Sequence, residues 1–333
     1  MVSNLFTKVA DSLTNEDPDG SHIRKRINAI SAVNAFAAIR VSDSNEALIL
    51  EIDTAALTGI SEWPSTRGLE VCPEPLQPGA GGTSRLLLQL TEERFRDVFR
   101  SLGDDVCSVL TKAPDDTAGV REFHRRLVRW QSFLQKYGPD GLGSNLRCGL
   151  YGELFVLRKL MLPLLGAETA VSAWRGCKKA NQDFQLPDRA LEVKTTRSGI
   201  PDRISISNVQ QLDDEGMAHM FLTVVHVHAN ETTGETLPEI IERLKDEMSD
   251  NIQDMLDSGL EEVGYLDSQS HLYSSERYQP IELFHHQVRE GFPRLSRSQI
   301  PDGVKKVRYD ISFDSCKPFR IDEQRVIELL TKG

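Results

Sequence analysis

Residues 190–195, Ala-Leu-Glu-Val-Lys-Thr, carry an acid and a lysine two positions apart in a run that otherwise reads as a buried strand. Side chains alternate across a strand, so Glu192 and Lys194 share one face while Leu191 and Val193 share the other. Burying an acid and an ammonium group is costly unless each finds a partner. A fold containing this strand must either leave that face wet or build a polar site on it. Asp183 lies nine residues upstream of Glu192 in a strand-like stretch, 183–186. A hairpin between the two stretches brings its carboxylate beside that of Glu192.

Neighbouring carboxylates repel, and a hard divalent cation removes the repulsion. Mg²⁺ suits one or two carboxylates, a backbone carbonyl and several retained waters. The expected ligands are Asp183, Glu192 and the carbonyl of Val193, with Mn²⁺ as a substitute cation. Glu153, near the start of an apolar helical run over 150–165, reaches the same cation directly or through water. Its competing role is that of an acid favouring a helix N-terminus. Lys194 is expected to orient or help deprotonate an attacking water, and to stabilise charge developing on a phosphodiester. The bland alternative for Glu192 and Lys194 is an ion pair on a half-exposed strand, which contributes little. The upstream acid, the Gly152-Glu153 pair and the polar Ser207-x-x-Gln210 segment after the next strand weigh against it together.

The net charge of −11 is unfavourable for a nucleic-acid protein, but the acidity is local. Twelve acids against Arg243 and Lys245 give residues 231–270 a net of −10. Residues 171–210 hold seven basic and four acidic residues, a net of +3. Arg175, Lys178, Lys179 and Arg197 flank the charged strand, where a DNA backbone would pass; as loop residues they would be merely solvated.

The rest of the chain organises around that strand. Strand-like runs at 35–41, 47–52, 69–72 and 85–90, separated by proline- and glycine-bearing turns, predict a β-rich module. Helices are expected from Thr91 and over about 120–137, the second carrying Arg121, Arg125 and Arg129 along one face. That face is either solvated or in contact with phosphates. From Gly141 the order is helix, the hairpin, strands at 203–207 and 220–228, an acidic amphipathic helix at 237–255, and strands at 281–288 and 304–313. These runs predict an α/β chain with a mixed sheet flanked by helices, divided at 118/119. No apolar run is long enough for a membrane span, and the N-terminus lacks a signal-peptide layout. Five scattered cysteines without a C-x-x-C pair argue against disulfides and zinc, and a reducing cytoplasm is expected.

Residues 146–157 (LRCGLYGELFVL), Trp174, Gln182-Asp183-Phe184, 191–196 (LEVKTT) and 204–212 (ISISNVQQL) resemble the PD-(D/E)XK nuclease superfamily. More narrowly, they are similar to a bacterial branch linked to phage-defence and restriction-type gene clusters. The resemblance implies a restriction-endonuclease-like fold. It implies Asp183 and Glu192 as metal ligands, Lys194 as catalytic, Glu153 as the helix acid and Gln210 as the polar residue after the third core strand. It also implies a Mg²⁺-dependent DNA endonuclease working beside ATPase or methyltransferase subunits, in a superfamily whose cores often dimerise. Gln182 stands where the motif has proline. The literal pair Pro187-Asp188 leaves no room for a strand and turn before Glu192 and reads as a turn, so Asp183 is preferred. A non-cutting scaffold or DNA-binding subunit on the same fold is the rival reading, and RNA is a weaker substrate option.

Other residues invite chemistry less strongly. His226 with His228, and His285-His286, read as packing with hydrogen bonds because no third ligand has useful spacing. Cys148 and Cys177 read as buried thiols. The glycines at 79–82 form a turn and not a phosphate loop.

Overall fold

The short apolar runs of the first part become one antiparallel sheet. The computed structural model describes residues 4–13, 20–66, 68–76, 82–138, 141–176, 180–197 and 202–331. Contacts divide the chain into two units, Met1–Gly141 with Asp267–Gln269, and Leu142–Leu266 with Ser270–Gly333. The first holds α1 (Leu5–Ala10), β1 (His22–Arg26), β2 (Asn34–Arg40), β3 (Glu46–Asp53), β4 (Leu69–Pro75), β5 (Thr83–Leu90), α2 (Arg96–Leu110) and α3 (Asp116–Tyr137). The strand order is β1-β2-β3-β5-β4, every pair antiparallel. Leu48, Ile49 and Leu50 in β3 are all buried, so this strand is covered on both faces. Neither α1 nor β1 is legible as a run, since β1 (HIRKR) is a charged edge strand and such edges look like loops.

The expected boundary at 118/119 falls inside α3. That helix starts on Asp115, whose side chain accepts from the Ala118 N–H at 2.8 Å, and stops at Gly138 with φ of 75°. Trp130 Nε1 on α3 donates to Asp105 Oδ2 on α2 at 3.0 Å, which ties the helix to the first unit. Glu46, at the head of β3, is 2% exposed and accepts from Arg96 at 2.6 Å and from Arg100 at 2.7 Å.

The second unit runs α4 (Ser144–Val156), α5 (Leu162–Leu165), α6 (Ala167–Ala173), β6 (Phe184–Gln185), β7 (Arg189–Thr196), β8 (Arg203–Ile206), β9 (His219–Asn230) and β10 (Glu235–Thr236). Then come α7 (Leu237–Asp246), α8 (Asp250–Val263), β11 (Arg277–Val288), β12 (Tyr309–Ser312), α9 (Phe313–Cys316), β13 (Arg320–Ile321) and α10 (Glu323–Thr331). The main sheet has the order β10-β11-β9-β7-β6, with β13 added to β11. Strands β7 and β9 are parallel and the other pairs antiparallel, so the sheet is mixed as expected. A parallel pair needs a crossover. Residues 197–218 supply it and carry β8, which pairs with β12 in a separate ribbon.

Three elements depart from the sequence expectation. The helical run 150–165 starts at Ser144 and widens into a π turn over Leu157–Met161 before Pro163, whose ring and missing N–H interrupt a regular helix. The acidic helix is two helices, α7 and α8. Gln253 Nε2 donates to the carbonyls of Lys245 and Met248 at the break, satisfying acceptors that the interruption leaves open. The strand expected over 304–313 shrinks to β12, because its basic first half is exposed.

Candidate functional site

The hairpin that carries the charged set is closed by a two-residue turn. Leu186 N donates to Arg189 O at 2.8 Å, Gln185 pairs with Ala190, and Pro187-Asp188 form the loop. Asp188 therefore lies in a turn, with Arg189 at 3.4 Å. Asp183 lies just past the other end of β6, where β7 loses its neighbour. Its Oδ2 accepts from the Val193 N–H at 2.8 Å, filling the hydrogen bond that a longer strand would have made. In a strand the N–H and C=O of one residue point to the same side, so the Val193 carbonyl faces this edge too.

Asp183 is also pinned through its backbone. Its carbonyl accepts from Arg175 N at 2.6 Å and from Gly176 N at 3.1 Å, and Trp174 bridges to Phe184. Trp174 in turn fixes the helix acid, since its Nε1 donates to Glu153 Oε2 at 2.8 Å. Helix α4 approaches β7 closely because position 152 has no side chain. A Cβ there would stand 1.9 Å from Thr195 Oγ1. Gly152 thus lets Glu153 come within reach of the sheet edge.

Glu192 is 1% exposed in the middle of β7. Its Oε1 accepts from Lys194 Nζ at 2.7 Å, while its Oε2 is buried with no hydrogen-bond partner among the described residues. Burial and then the charge of Asp183 push the Glu192 carboxyl well above the usual range, against the pull of Lys194. Burial followed by the Asp183 charge does the same to Glu153, with the Trp174 N–H opposing. Burial also raises Asp183, opposed by Lys194 and by the Val193 N–H. For Lys194 burial acts to lower, but the charges of Glu192 and Asp183 outweigh it and the net direction is upward. Lys194 is therefore held as a cation.

Three acids against one ammonium leave two uncompensated negative charges when all are ionised. At an effective dielectric of about 20, two charges 4 Å apart interact by about 4 kcal/mol, so the excess is a large stress. A divalent cation has the charge that removes it. The surroundings fit such an ion. The orphaned Glu192 Oε2 is one open donor. The space over Gly176 is another fit: a Cβ there would lie 2.5 Å from Glu153 Oε2 and 3.0 Å from Asp183 Oδ1. Among the described residues no group of three or more His, Cys, Asp or Glu is placed so that it could hold a metal ion. Mg²⁺ asks for less, since it keeps several waters beside one or two carboxylates.

The expected polar residue is displaced by one position. Gln210 is exposed, and its Oε1 accepts from Asn208 Nδ2 at 3.2 Å. Gln211 takes its place, its Oε1 accepting from Lys194 Nζ at 3.2 Å and from Ser207 N at 3.0 Å. The cause is the 3₁₀ turn Val209–Leu212, capped by Asn208, which buries Val209 and Leu212 and rotates 211 toward the lysine. Gln182, in the place of the motif proline, is 2% exposed and holds this turn, donating to Gln210 O at 2.7 Å. The sequence marks neither Gln211 nor Gln182 as a site residue; only the polar Ser207-x-x-Gln210 segment points to this turn.

The expected DNA contacts separate. Arg175 lines a groove of about 540 Å³ with Thr169, Ser172, Gln185 and Pro187 beside α6 and β6. Arg197 is drawn into the fold, donating to Ser144, Asn145 and, at 3.2 Å, to Glu276. Lys178, Lys179 and Cys177 lie outside the described residues. Cys148 is buried and its thiol is pushed up to about 11 by burial, which makes it unreactive. His285 is buried and hydrogen-bonded to Thr223 Oγ1 at 2.9 Å. A cavity of about 590 Å³ in the first unit, lined by Trp63, Arg121 and His124 among others, contains none of the charged set.

No helix of the described residues is long and apolar enough to cross a membrane. No curated protein and no solved structure matches the chain. A family model described as "Putative PD-(D/E)XK family member, (DUF4420)" matches residues 7–314, nearly the whole length, and the chain belongs to that family.

Proposed function

We propose that this protein hydrolyses phosphodiester bonds in DNA with Mg²⁺, or Mn²⁺ in its place, as an endonuclease of a restriction-like or anti-phage defence system. The observation that carries the reading is the gathering of the Glu153, Asp183 and Glu192 carboxyls at one sheet edge, with Glu192 Oε2 lacking a partner among the described residues and Lys194 bonded to Glu192 Oε1. Asp183 and Glu192 would hold the cation, with the Val193 carbonyl and Glu153 completing the protein's share. The cation would supply Lewis-acid stabilisation of phosphate charge and a more acidic water. Lys194 draws in the scissile phosphate and neutralises charge that grows on it. Gln211 and Glu192 fix the ammonium group, and Trp174 fixes Glu153. Arg175, with Lys178 and Lys179, would contact the backbone of the substrate. The family resemblance supports the defence setting and partner subunits of ATPase or methyltransferase type.

A second reading is a catalytically silent DNA-binding or scaffold subunit of a defence complex. The observation that favours it is the lack of a three-ligand cage among the described residues. Incubation of supercoiled plasmid with the protein in Mg²⁺ or Mn²⁺, beside Lys194→Ala and an EDTA control, separates the two. Cutting by the wild type alone is the expected result, and equal cutting by the variant removes Lys194 from the mechanism. Thermal unfolding adds a readout independent of cutting. Mg²⁺ at ten times its Kd is expected to stabilise the wild type by about 1.4 kcal/mol. A Glu192→Ala variant should lose that gain. No cutting together with no Mg²⁺ stabilisation favours the silent subunit.

A further inference from the structure

The crossover ribbon carries a feature that the carboxylate site does not explain. Residues 295–308 lie between β11, which ends at Val288, and β12, and they hold Arg297, Lys305, Lys306 and Arg308 against the single acid Asp302. All four cations are exposed and have no hydrogen-bond or ion-pair partner among the described residues. Most arginines of this unit are otherwise engaged: Arg158 and Arg243 with Glu235, Arg277 with Glu239, Arg294 with Asp214, Arg320 with Glu282. A chain of net charge −11 thus gathers unpaired positive charge in one short segment.

The segment is rooted at the site. At its start, Arg294 donates to the Leu212 carbonyl and pairs with Asp214 at 2.6 Å, gripping the turn that carries Gln211. Leu295 N donates to Tyr309 Oη at 3.3 Å, which brings the two ends of the excursion together. At its far end Tyr309 pairs with Ile206, next to Ser207, whose N–H donates to the same Gln211 Oε1 that receives Lys194 Nζ. Arg308 therefore emerges one residue from a strand that is hydrogen-bonded into the surroundings of the lysine.

We propose that residues 295–308 form an arm that grips the phosphate backbone of duplex DNA beside the carboxylate site, through Arg297, Lys305, Lys306 and Arg308. The proposal rests on the hydrolytic reading for the identity of its ligand. Unpaired, exposed cations on a short segment bind phosphates without sequence preference and leave a salt-dependent signature. Such an arm positions the polymer, while Arg175 and the buried lysine deal with the phosphates nearer the reaction.

The test is binding of a short fluorescent duplex in EDTA, followed by anisotropy from roughly 50 to 200 mM salt. The variants are Lys305→Ala/Lys306→Ala/Arg308→Ala and a control triple, Lys8→Ala/Lys112→Ala/Lys159→Ala, which removes the same charge from exposed positions elsewhere. The arm variant is expected to bind about tenfold or more weakly, with the slope of log affinity against log salt reduced by up to about 2.7, at roughly 0.9 per lost contact. The control should stay close to wild type. Equal loss in both triples would reduce the effect to net charge and overturn the arm. So would wild-type affinity and slope in the arm variant, or tighter binding of a single strand than of the duplex. Plasmid cutting with Mg²⁺ is read separately. Arm-dependent binding without cutting keeps the arm and removes hydrolysis. Cutting that survives in the arm variant, with binding unchanged, keeps hydrolysis and removes the arm.

Discussion

Glu46 and Glu192 are two buried glutamates on strands, one in each unit, and they are treated in opposite ways. Glu46 receives two guanidiniums, with Arg100 reaching both of its oxygens, and shares them with the exposed acids Glu93 and Asp11. Glu192 receives one ammonium on one oxygen, keeps the other without a partner, and faces two further acids. Glu235 in the second unit follows the first pattern, held between Arg158, Arg243 and the Tyr151 hydroxyl. Buried acids of the scaffold are thus matched in charge and hydrogen bonding, while those at the sheet edge are left in deficit. That deficit is what the proposed cation site rests on.

The comparison makes predictions of graded size. The largest effect is on cleavage. Glu192→Gln should lower it by about 10³-fold, since the ligand charge is lost. The fold should hold or gain about 1 kcal/mol in urea unfolding, because a repelled charge is gone. Glu46→Gln should do the reverse, losing about 2 kcal/mol because the charged hydrogen bonds of Arg96 and Arg100 to a buried acceptor are weakened, with only the exposed Glu93 and Asp11 left as their counter-charges. Its cutting per folded molecule should match wild type. Similar losses of stability in the two variants would erase the distinction.

A separate effect, on pH dependence, comes from groups that burial shifts with no carboxylate cluster involved. Burial, then the charge of Arg320, lowers His285 to about 4. Burial is also the main cause for His286, lowered to about 4. Both rings fold neutral. As pH falls below 6.5 the unfolded chain gains protons first, so stability drops between about pH 6.5 and 4 and the loss is complete below that. Each ring contributes roughly 3 kcal/mol to the drop. Urea titrations at stepped pH measure it, and His285→Gln/His286→Gln should flatten the profile. An unchanged slope in that variant would assign the acid sensitivity to other groups.

The smallest effect concerns Gln182. Gln182→Ala removes the donor to the Gln210 carbonyl, which should cost about 1 kcal/mol and loosen the turn that presents Gln211. Cleavage should fall by roughly tenfold through poorer placement of Lys194. Unchanged cleavage with the same loss of stability would place Gln182 on the Glu46 side of the comparison.

Much of the second unit was legible because alternation and turn chemistry act locally. The run at 190–195 and the pair Pro187-Asp188 were enough to set a strand, a tight turn and the position of Asp183. Glu153 was legible as an acid near the start of a helix but not as one held at the sheet edge, since that placement depends on Trp174 and Gly176 from a separate part of the chain. Gln210 and Gln211 could not be told apart. Which of them faces the lysine depends on the phase of a 3₁₀ turn that Asn208 caps and Gln182 holds. Residues 304–308 of the arm looked like the first half of a strand that runs on to Phe313. Their exposure follows from the pairing of β12 with β8 outside the main sheet, a long-range choice that no local pattern records.

The hydrogen bond from Val193 to the Asp183 carboxylate has a consequence for handling the protein. Strand β6 spans two residues, so beyond Leu191 the side of β7 would present bare peptide groups to the surroundings. Bare strand edges recruit strands from other molecules, and a negative charge seated on one is a barrier to that growth. Asp183 is therefore expected to oppose self-association at this edge, in addition to its place among the three acids. An Asp183→Ala protein would be prone to aggregate for a reason unconnected with its lost chemistry. Asp183→Asn, which keeps an oxygen to accept the Val193 N–H, is the better variant for testing the role of the carboxylate charge.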